Sequence, residues 1–266
     1  MNHQSFGAGT GPVNLGLDGR RAVVTGAASG IGRAVTSALL VEGCTVYALD
    51  RDAAALNRLG EELRASGLRA GLTCLTVDLR DESAVVLALS TAGRDGGLDV
   101  LVSCAGVSGP VGTPLEATSA EDWRQVMEVN VMAPFLVLKH AFPLLRQGRD
   151  PAVVLLGSDS ALVAAPRMAP YCASKAAVIQ LGRALAVEWA EHRIRVNSVC
   201  PSVVDTPMSR ADLERPEGFG GTAFPVQSTA QVAAQVLILL SPILAPVNGT
   251  TLLSDFAFSA RSGFPA

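Results

Sequence analysis

Aromatic residues are scarce in this chain of 266 residues, 5 % in all, with two Trp and two Tyr. That excludes a base-stacking surface for single-stranded nucleic acid. Charge is sparse as well, at 17 % Asp, Glu, Lys and Arg. The 21 Lys and Arg against 24 Asp and Glu leave a net charge of −3, and no basic run stands out, so no nucleic-acid partner is expected. Little charge beside 49 % hydrophobic residues excludes a disordered, solvating chain. The length suits one large α/β domain or two small ones, long enough to bury a sizeable core.

Cysteine is present without pattern. Cys44, Cys74, Cys104, Cys172 and Cys200 form an odd set with no C-x-x-C pair, which excludes a zinc site and a disulfide framework. They read as small hydrophobes in a reducing compartment. His3, His140 and His192 are too scattered for a metal site, so no metal is expected. The first residues, MNHQSFGAGTGPVNLG, lack the basic start and apolar core of a secretory signal. They read as a flexible arm over residues 1–17, ahead of a single domain over 18–266, and the whole points to the cytoplasm.

A long hydrophobic run is missing too. No charge occurs between Glu217 and Asp255, yet Gln235, Ser241, Pro242 and Pro246 interrupt the apolar stretch Val232 to Val247. A spanning helix needs roughly 20 mostly apolar residues. A buried helix ending at Ser241-Pro242 is expected, and no membrane partner.

What is there alternates. Short β-type runs at 21–25, 44–50, 72–78, 98–104, 151–158, 193–199 and 251–254 are separated by helical patterns, the longest at 119–146 and 170–191. Near-continuous apolar strands between helices imply a single doubly wound parallel sheet of about seven strands, with helices on both faces. Ligands in such sheets bind outside the carboxyl ends of the strands.

After the first strand runs Thr25-Gly26-Ala27-Ala28-Ser29-Gly30-Ile31-Gly32. Glycines there permit a tight turn and let backbone approach a pyrophosphate at a helix N-terminus. The spacing is G-x-x-x-G-x-G, a weak signal alone, but it stands in the strand–loop–helix context the mechanism needs. Asp50 ends the second strand, 18 residues after Gly32. It can accept hydrogen bonds from an adenosine ribose, or be a solvated loop aspartate. Asp78 can meet an adenine edge or cap a helix.

Tyr171 and Lys175 are spaced i and i+4 on one helical face. A neighbouring ammonium favours phenolate, lowering a tyrosine from its ordinary value of about 10. Ser158, 13 residues earlier at the end of the fifth strand, can hold a substrate oxygen. The combination is far more specific than any one member.

Together these residues make the chain similar to the short-chain dehydrogenase/reductases over about residues 18–257. TGAASGIG matches the family's glycine signature, Tyr171 and Lys175 its Tyr-x-x-x-Lys, Ser158 its serine and Asn130 its asparagine. VNSVCPSVVDT (Val196 to Thr206) matches the strand-six motif, and Ser254-Asp255-Phe256-Ala257 echoes V-D-G-G. Two positions depart: Ser103-Cys104-Ala105-Gly106 stands for N-N-A-G, and Ser202 for a glycine.

The resemblance implies a hydride-transfer enzyme. Tyr171 would be the general acid/base. Lys175 would lower the tyrosine pKa and hold the nicotinamide ribose, Ser158 would orient the substrate oxygen, and Asn130 would support a water-linked relay. NAD would contact Gly26, Ser29, Gly30, Ile31, Gly32, Asp50, Arg51, Asp78, Leu79, Cys104, Ala105, Gly106, Pro201, Val204 and Thr206, besides Tyr171 and Lys175. Substrate would meet Ser158, Ser160, Val163, Met168 and Tyr171, with 208–232 as a mobile lid. The mostly apolar residues after Ser158 suggest an uncharged, hydrophobic secondary alcohol unless Arg167 or Arg210 turns inward. Family members commonly form dimers or tetramers, so a homo-oligomer is implied. Two other readings stay open: an epimerase or dehydratase sharing Tyr-x-x-x-Lys, and a catalytically silent NAD-binding regulator.

Overall fold

Each strand alternates its side chains between two hydrophobic layers, which decides how the helices stack. In the computed structural model, which describes residues 14–68, 71–94 and 96–261, the strands are β1 (Arg21–Thr25), β2 (Thr45–Asp50), β3 (Leu72–Thr76), β4 (Val100–Ser103), β5 (Ala152–Leu156), β6 (Arg195–Pro201) and β7 (Thr251–Ser254). They form one all-parallel sheet in the order β3-β2-β1-β4-β5-β6-β7. The expected α/β sheet of seven strands is what the chain builds.

Ala22, Val24, Val100, Val102 and Val154 face one layer, covered by α1 (Gly30–Val41), α2 (Ala53–Ala65) and α8 (Thr229–Leu240). Val23, Leu101, Val153 and Leu155 face the other, covered by α3 (Glu82–Ala92), α5 (Ala133–Leu145) and α6 (Ala169–Glu188). Two further helices, α4 (Ala120–Met127) and α7 (Pro207–Asp212), flank the carboxyl ends. Each fully buried Val or Leu contributes about 1.5–3 kcal/mol over an exposed one.

The apolar C-terminal stretch becomes α8, whose Val232, Val236 and Leu240 are fully buried. It stops at Ser241, as Pro242 requires. The buried Arg195 guanidinium on β6 donates to the carbonyls of Leu239, Leu240 and Ser241, satisfying the helix end. The segment expected as one helix from 119 to 146 is continuous but not uniform, since a π-helical turn (Glu128–Met132) joins α4 to α5. This run, Ala120–Leu145, has the length and hydropathy of a membrane span, with 44 % of its window buried inside the fold.

Most of the expected arm, residues 1–13, lies outside the described residues. Its last part is docked: Leu17 is fully buried and the Leu15 carbonyl accepts from Ser241 Oγ. Trp189 packs on Phe142 at 5.1 Å, whereas Trp123 is 38 % exposed.

Phe256 and Ala257 occupy the positions of the two glycines in V-D-G-G, and both have left-handed backbone, with φ of 53° and 64°. Asp255 holds this turn by accepting from the amides of Ala257 and Ser259. A side chain in that region costs about 1–2 kcal/mol. Ala257→Gly should therefore raise the unfolding free energy in urea by about 1 kcal/mol, the remainder being offset by glycine's entropy. A fall in stability would refute the strain.

Candidate active site

Sheet order reverses direction between β1 and β4, and a cavity of about 520 Å³ opens there at the carboxyl ends. Its first wall is the glycine loop. Gly26 has φ of 63°, and a Cβ there would lie 2.8 Å from the Ala105 amide nitrogen. At Gly32 a Cβ would lie 2.1 Å from the Gly26 carbonyl oxygen, so the third glycine serves the packing of α1 on its own loop. The N-terminus of α1 carries no side-chain cap and no acidic residue in its first turn, whereas Asp52, Asp81, Ser119 and Ser228 cap α2, α3, α4 and α8. An open helix N-terminus behind a glycine turn, lining a cavity, fits a pyrophosphate.

Asp50 accepts the Ala28 amide at 3.0 Å and the Asp52 amide at 3.1 Å. It thus ties the glycine loop to the end of β2 while lining the cavity beside the exposed Arg51. Asp78 is no helix cap, because Asp81 caps α3. Instead Asp78 pairs with Arg80 at 2.6 Å, and that guanidinium holds its carboxyl down at about 2. Leu79 lines the same end.

At the other end Ser158, Tyr171 and Lys175 converge. Lys175 is buried, donates to the Leu156 carbonyl at 3.0 Å, and has its Nζ 5.6 Å from the Tyr171 ring centroid. Burial pushes Lys175 down to about 8, partly opposed by Cys200 and Cys104. Burial likewise pushes the Tyr171 phenol up to about 12; Ser158 works against this, while Asp159 and Asp212 add to it. In the ligand-free protein the phenol is therefore held protonated. Ser158 Oγ donates to Asp159 Oδ1 at 2.9 Å and accepts the Ser160 amide at 3.2 Å.

The structure brings together nearly every residue expected at the site. Gly26, Ser29, Gly30, Ile31, Gly32, Asp50, Arg51, Asp78 and Leu79 line one half of the cavity, and Cys104, Ala105, Gly106, Pro201, Val204 and Thr206 line its middle. Ser158, Ser160, Met168, Tyr171 and Lys175 line the rest. Two stand outside the lining. Val163 does not reach the cavity, and Ala165 does. Asn130 sits behind it, buried in the π turn, where both its N–H groups are engaged: Oδ1 accepts the Val107 amide at 2.8 Å, and Nδ2 donates to the Val107 carbonyl and Ser174 Oγ, each at 2.9 Å. It fixes the segment after β4 to α6. Thr206 also caps α7 through a capping box with Ser209.

The departures from the family pattern are absorbed locally. Cys104 and Ala105 anchor their amides on Thr25 Oγ1 at 3.2 and 3.4 Å, and burial raises the Cys104 thiol to about 12. Ser202 keeps ordinary backbone and donates its amide to the Ser254 carbonyl. The expected lid is part helix, because Pro207 and the Thr206 cap start α7. Sequence reading missed Asp159 and gave Met208, Asp212 and Leu213 only as part of the 208–232 lid, and all four line the cavity. Neither Asp159 nor Asp212 lies in a spaced motif, and only the fold turns them inward.

A family model for the short chain dehydrogenases matches residues 20–217, and this chain belongs to that family. It is 32 % identical over 255 residues to the D-threitol dehydrogenase of Mycolicibacterium smegmatis, covering 92 % of this chain and 95 % of that protein. It is 42 % identical over 207 residues to the 1-deoxy-11-beta-hydroxypentalenate dehydrogenase of Streptomyces exfoliatus, covering 77 % and 74 %. Among solved structures, gox2181 superposes with a TM-score of 0.85 at 31 % identity, covering 93 % of this chain and 98 % of that one. The chain is accordingly an oxidoreductase of small molecules acting on CH–OH groups with a nicotinamide cofactor.

The buried lysine predicts a stability signature. A lysine lowered to about 8 when folded, against 10.5 when exposed, binds fewer protons folded than unfolded between those values. Wild-type stability should therefore rise relative to Lys175→Met as pH goes from 8 to 10.5. Urea unfolding of the ligand-free proteins across that range tests this, and a constant difference would refute it.

Proposed function

We propose that the protein is an NAD-dependent oxidoreductase that interconverts a mainly hydrophobic secondary alcohol and its ketone, with Tyr171 as general acid/base. The observation that carries this reading is one cavity holding the open α1 N-terminus at one end and Ser158, Tyr171 and Lys175 at the other. When bound, the nicotinamide accepts or gives the hydride. The chain's own residues handle the rest. Ser158 orients the substrate oxygen, and Tyr171 Oη takes the hydroxyl proton on oxidation and returns it on reduction. Lys175 places positive charge beside the phenol, favouring phenolate. Asn130 acts through position, holding Val107 at the cavity's edge. Val107, Val111, Met168, Met208 and Leu213 supply an apolar wall.

The relatives support alcohol chemistry but diverge on the rest of the molecule, one named for D-threitol and the other for 1-deoxy-11-beta-hydroxypentalenate. Exposed Met132 and Phe135, at the start of α5, and Val187 on α6 support a homodimer or homotetramer, and five free thiols fit the cytoplasm.

Two measurements test the proposal. Tyr171→Phe should lower kcat by about 10²–10⁴ while cofactor binding, followed by fluorescence titration, survives. Near-normal turnover would sink the role of Tyr171. Asp50 would also stand against a 2′-phosphate: two unit charges about 4 Å apart cost roughly 4 kcal/mol at an effective dielectric of 20, on the order of a thousandfold before Arg51 offsets any of it. The kcat/KM for NAD should exceed that for NADP, and Asp50→Ser should narrow the gap. A preference for NADP would refute the role of Asp50.

A further inference from the structure

The substrate half of the cavity is not uniformly apolar, because Asp159 and Asp212 both line it. Their situations differ. Asp159 is held within its own turn, its Oδ1 accepting Ser158 Oγ at 2.9 Å and the Ser160 amide at 2.7 Å while its Oδ2 has no partner among the described residues. Asp212, the last residue of α7, accepts one hydrogen bond, from Ser108 Oγ to Oδ2 at 2.5 Å. Its Oδ1 has no partner among the described residues.

Two separate elements fix this carboxylate. Ser108 is buried in the segment after β4, and α7 is pinned by the Thr206–Ser209 capping box. Among the described residues no cation pairs with it. Arg210 is held by Asp205 in a two-pronged contact at 2.6 and 3.0 Å. Arg51 and Arg80 stand with Asp50 and Asp78 at the far end of the cavity, and Lys175 donates to Leu156. Arg167, the other cation that might have met an acidic substrate, is exposed and outside the lining.

We propose that Asp212 is a specificity residue whose free oxygen accepts a hydrogen bond from a second hydroxyl of the substrate. The site then prefers a hydroxylated secondary alcohol, such as a vicinal diol, over the same alcohol without that group. It disfavours a carboxylate in the same place, where two like charges would meet in a partly desolvated cavity. The preferred substrate keeps an apolar body against Val107 and Met208 and places its extra hydroxyl toward α7. This assignment rests on the alcohol oxidoreduction proposed above.

Three probes with one ring separate the possibilities: trans-cyclohexane-1,2-diol, cyclohexanol and trans-2-hydroxycyclohexane-1-carboxylate. NADH formation by the full-length protein should give kcat/KM for the diol about tenfold above cyclohexanol, the scale of one hydrogen bond to a charged group, with the hydroxy acid lowest. Asp212→Asn, checked for folding by thermal melting, keeps an acceptor oxygen but loses the charge, so it should lower the diol ratio and raise the hydroxy acid about tenfold relative to cyclohexanol. Ser108→Ala keeps the charge but frees the carboxylate, so the diol ratio should fall while the hydroxy acid stays disfavoured. Equal use of diol and cyclohexanol by the wild type, or an unchanged ratio in Asp212→Asn, would overturn the assignment. Oxidation of none of the three would overturn the underlying alcohol chemistry, and the assignment with it.

Discussion

A lysine ammonium buried at the end of a parallel sheet is the interaction on which the site depends. Lys175 reaches down from α6 to the Leu156 carbonyl, where β5 has just ended and that oxygen is free to accept. Burial makes the charged form of Lys175 unfavourable, and it raises the phenol beside it. The same dry surroundings disfavour the charged form of both groups, phenolate as well as ammonium, so any phenolate here depends on the positive charge beside it. Gly106 belongs to this arrangement: a Cβ there would lie 3.2 Å from Asn130 Oδ1 and 3.5 Å from Lys175 Nζ.

The cavity is electrostatically divided along its length. At one end the uncapped α1 N-terminus presents positive helix dipole, with Arg51 and Arg80 balanced by Asp50 and Asp78. At the other, Asp159 and Asp212 share the lining with Ser158, Tyr171 and the Lys175 ammonium. Between them the wall is built from backbone and from small or neutral side chains such as Ala105, Gly106 and Cys104. That division suits a long, polar, anionic cofactor lying toward α1 and a less charged molecule lying toward α7.

Support for the site comes from groups that never touch the cavity. Asn130 joins Val107 to Ser174 through three hydrogen bonds, and the π turn carries it into that position. Arg195 closes the carbonyl end of α8, which covers the same face of the sheet as α1. Loss of either would move the floor or the wall before it altered the chemistry.

The sequence alone determined the sheet, its main helices and the family. Apolar strands and glycine turns are local patterns, and Gly26, Ser158, Tyr171 and Lys175 sit at fixed offsets that a one-dimensional reading can count. It also marked the end of α8, because proline imposes its limit on the residue before it. Tertiary structure decided what depends on orientation. It showed the Asn130 N–H groups taken by Val107 and Ser174, left Val163 outside the cavity lining and put Ala165 in it, and assigned the α3 cap to Asp81 in place of Asp78. It alone brought Asp212 opposite Ser108, more than a hundred residues away in sequence. Such contacts have no spacing rule, since they arise where a capped helix crosses the end of a sheet and its side chains take whichever partner the crossing presents.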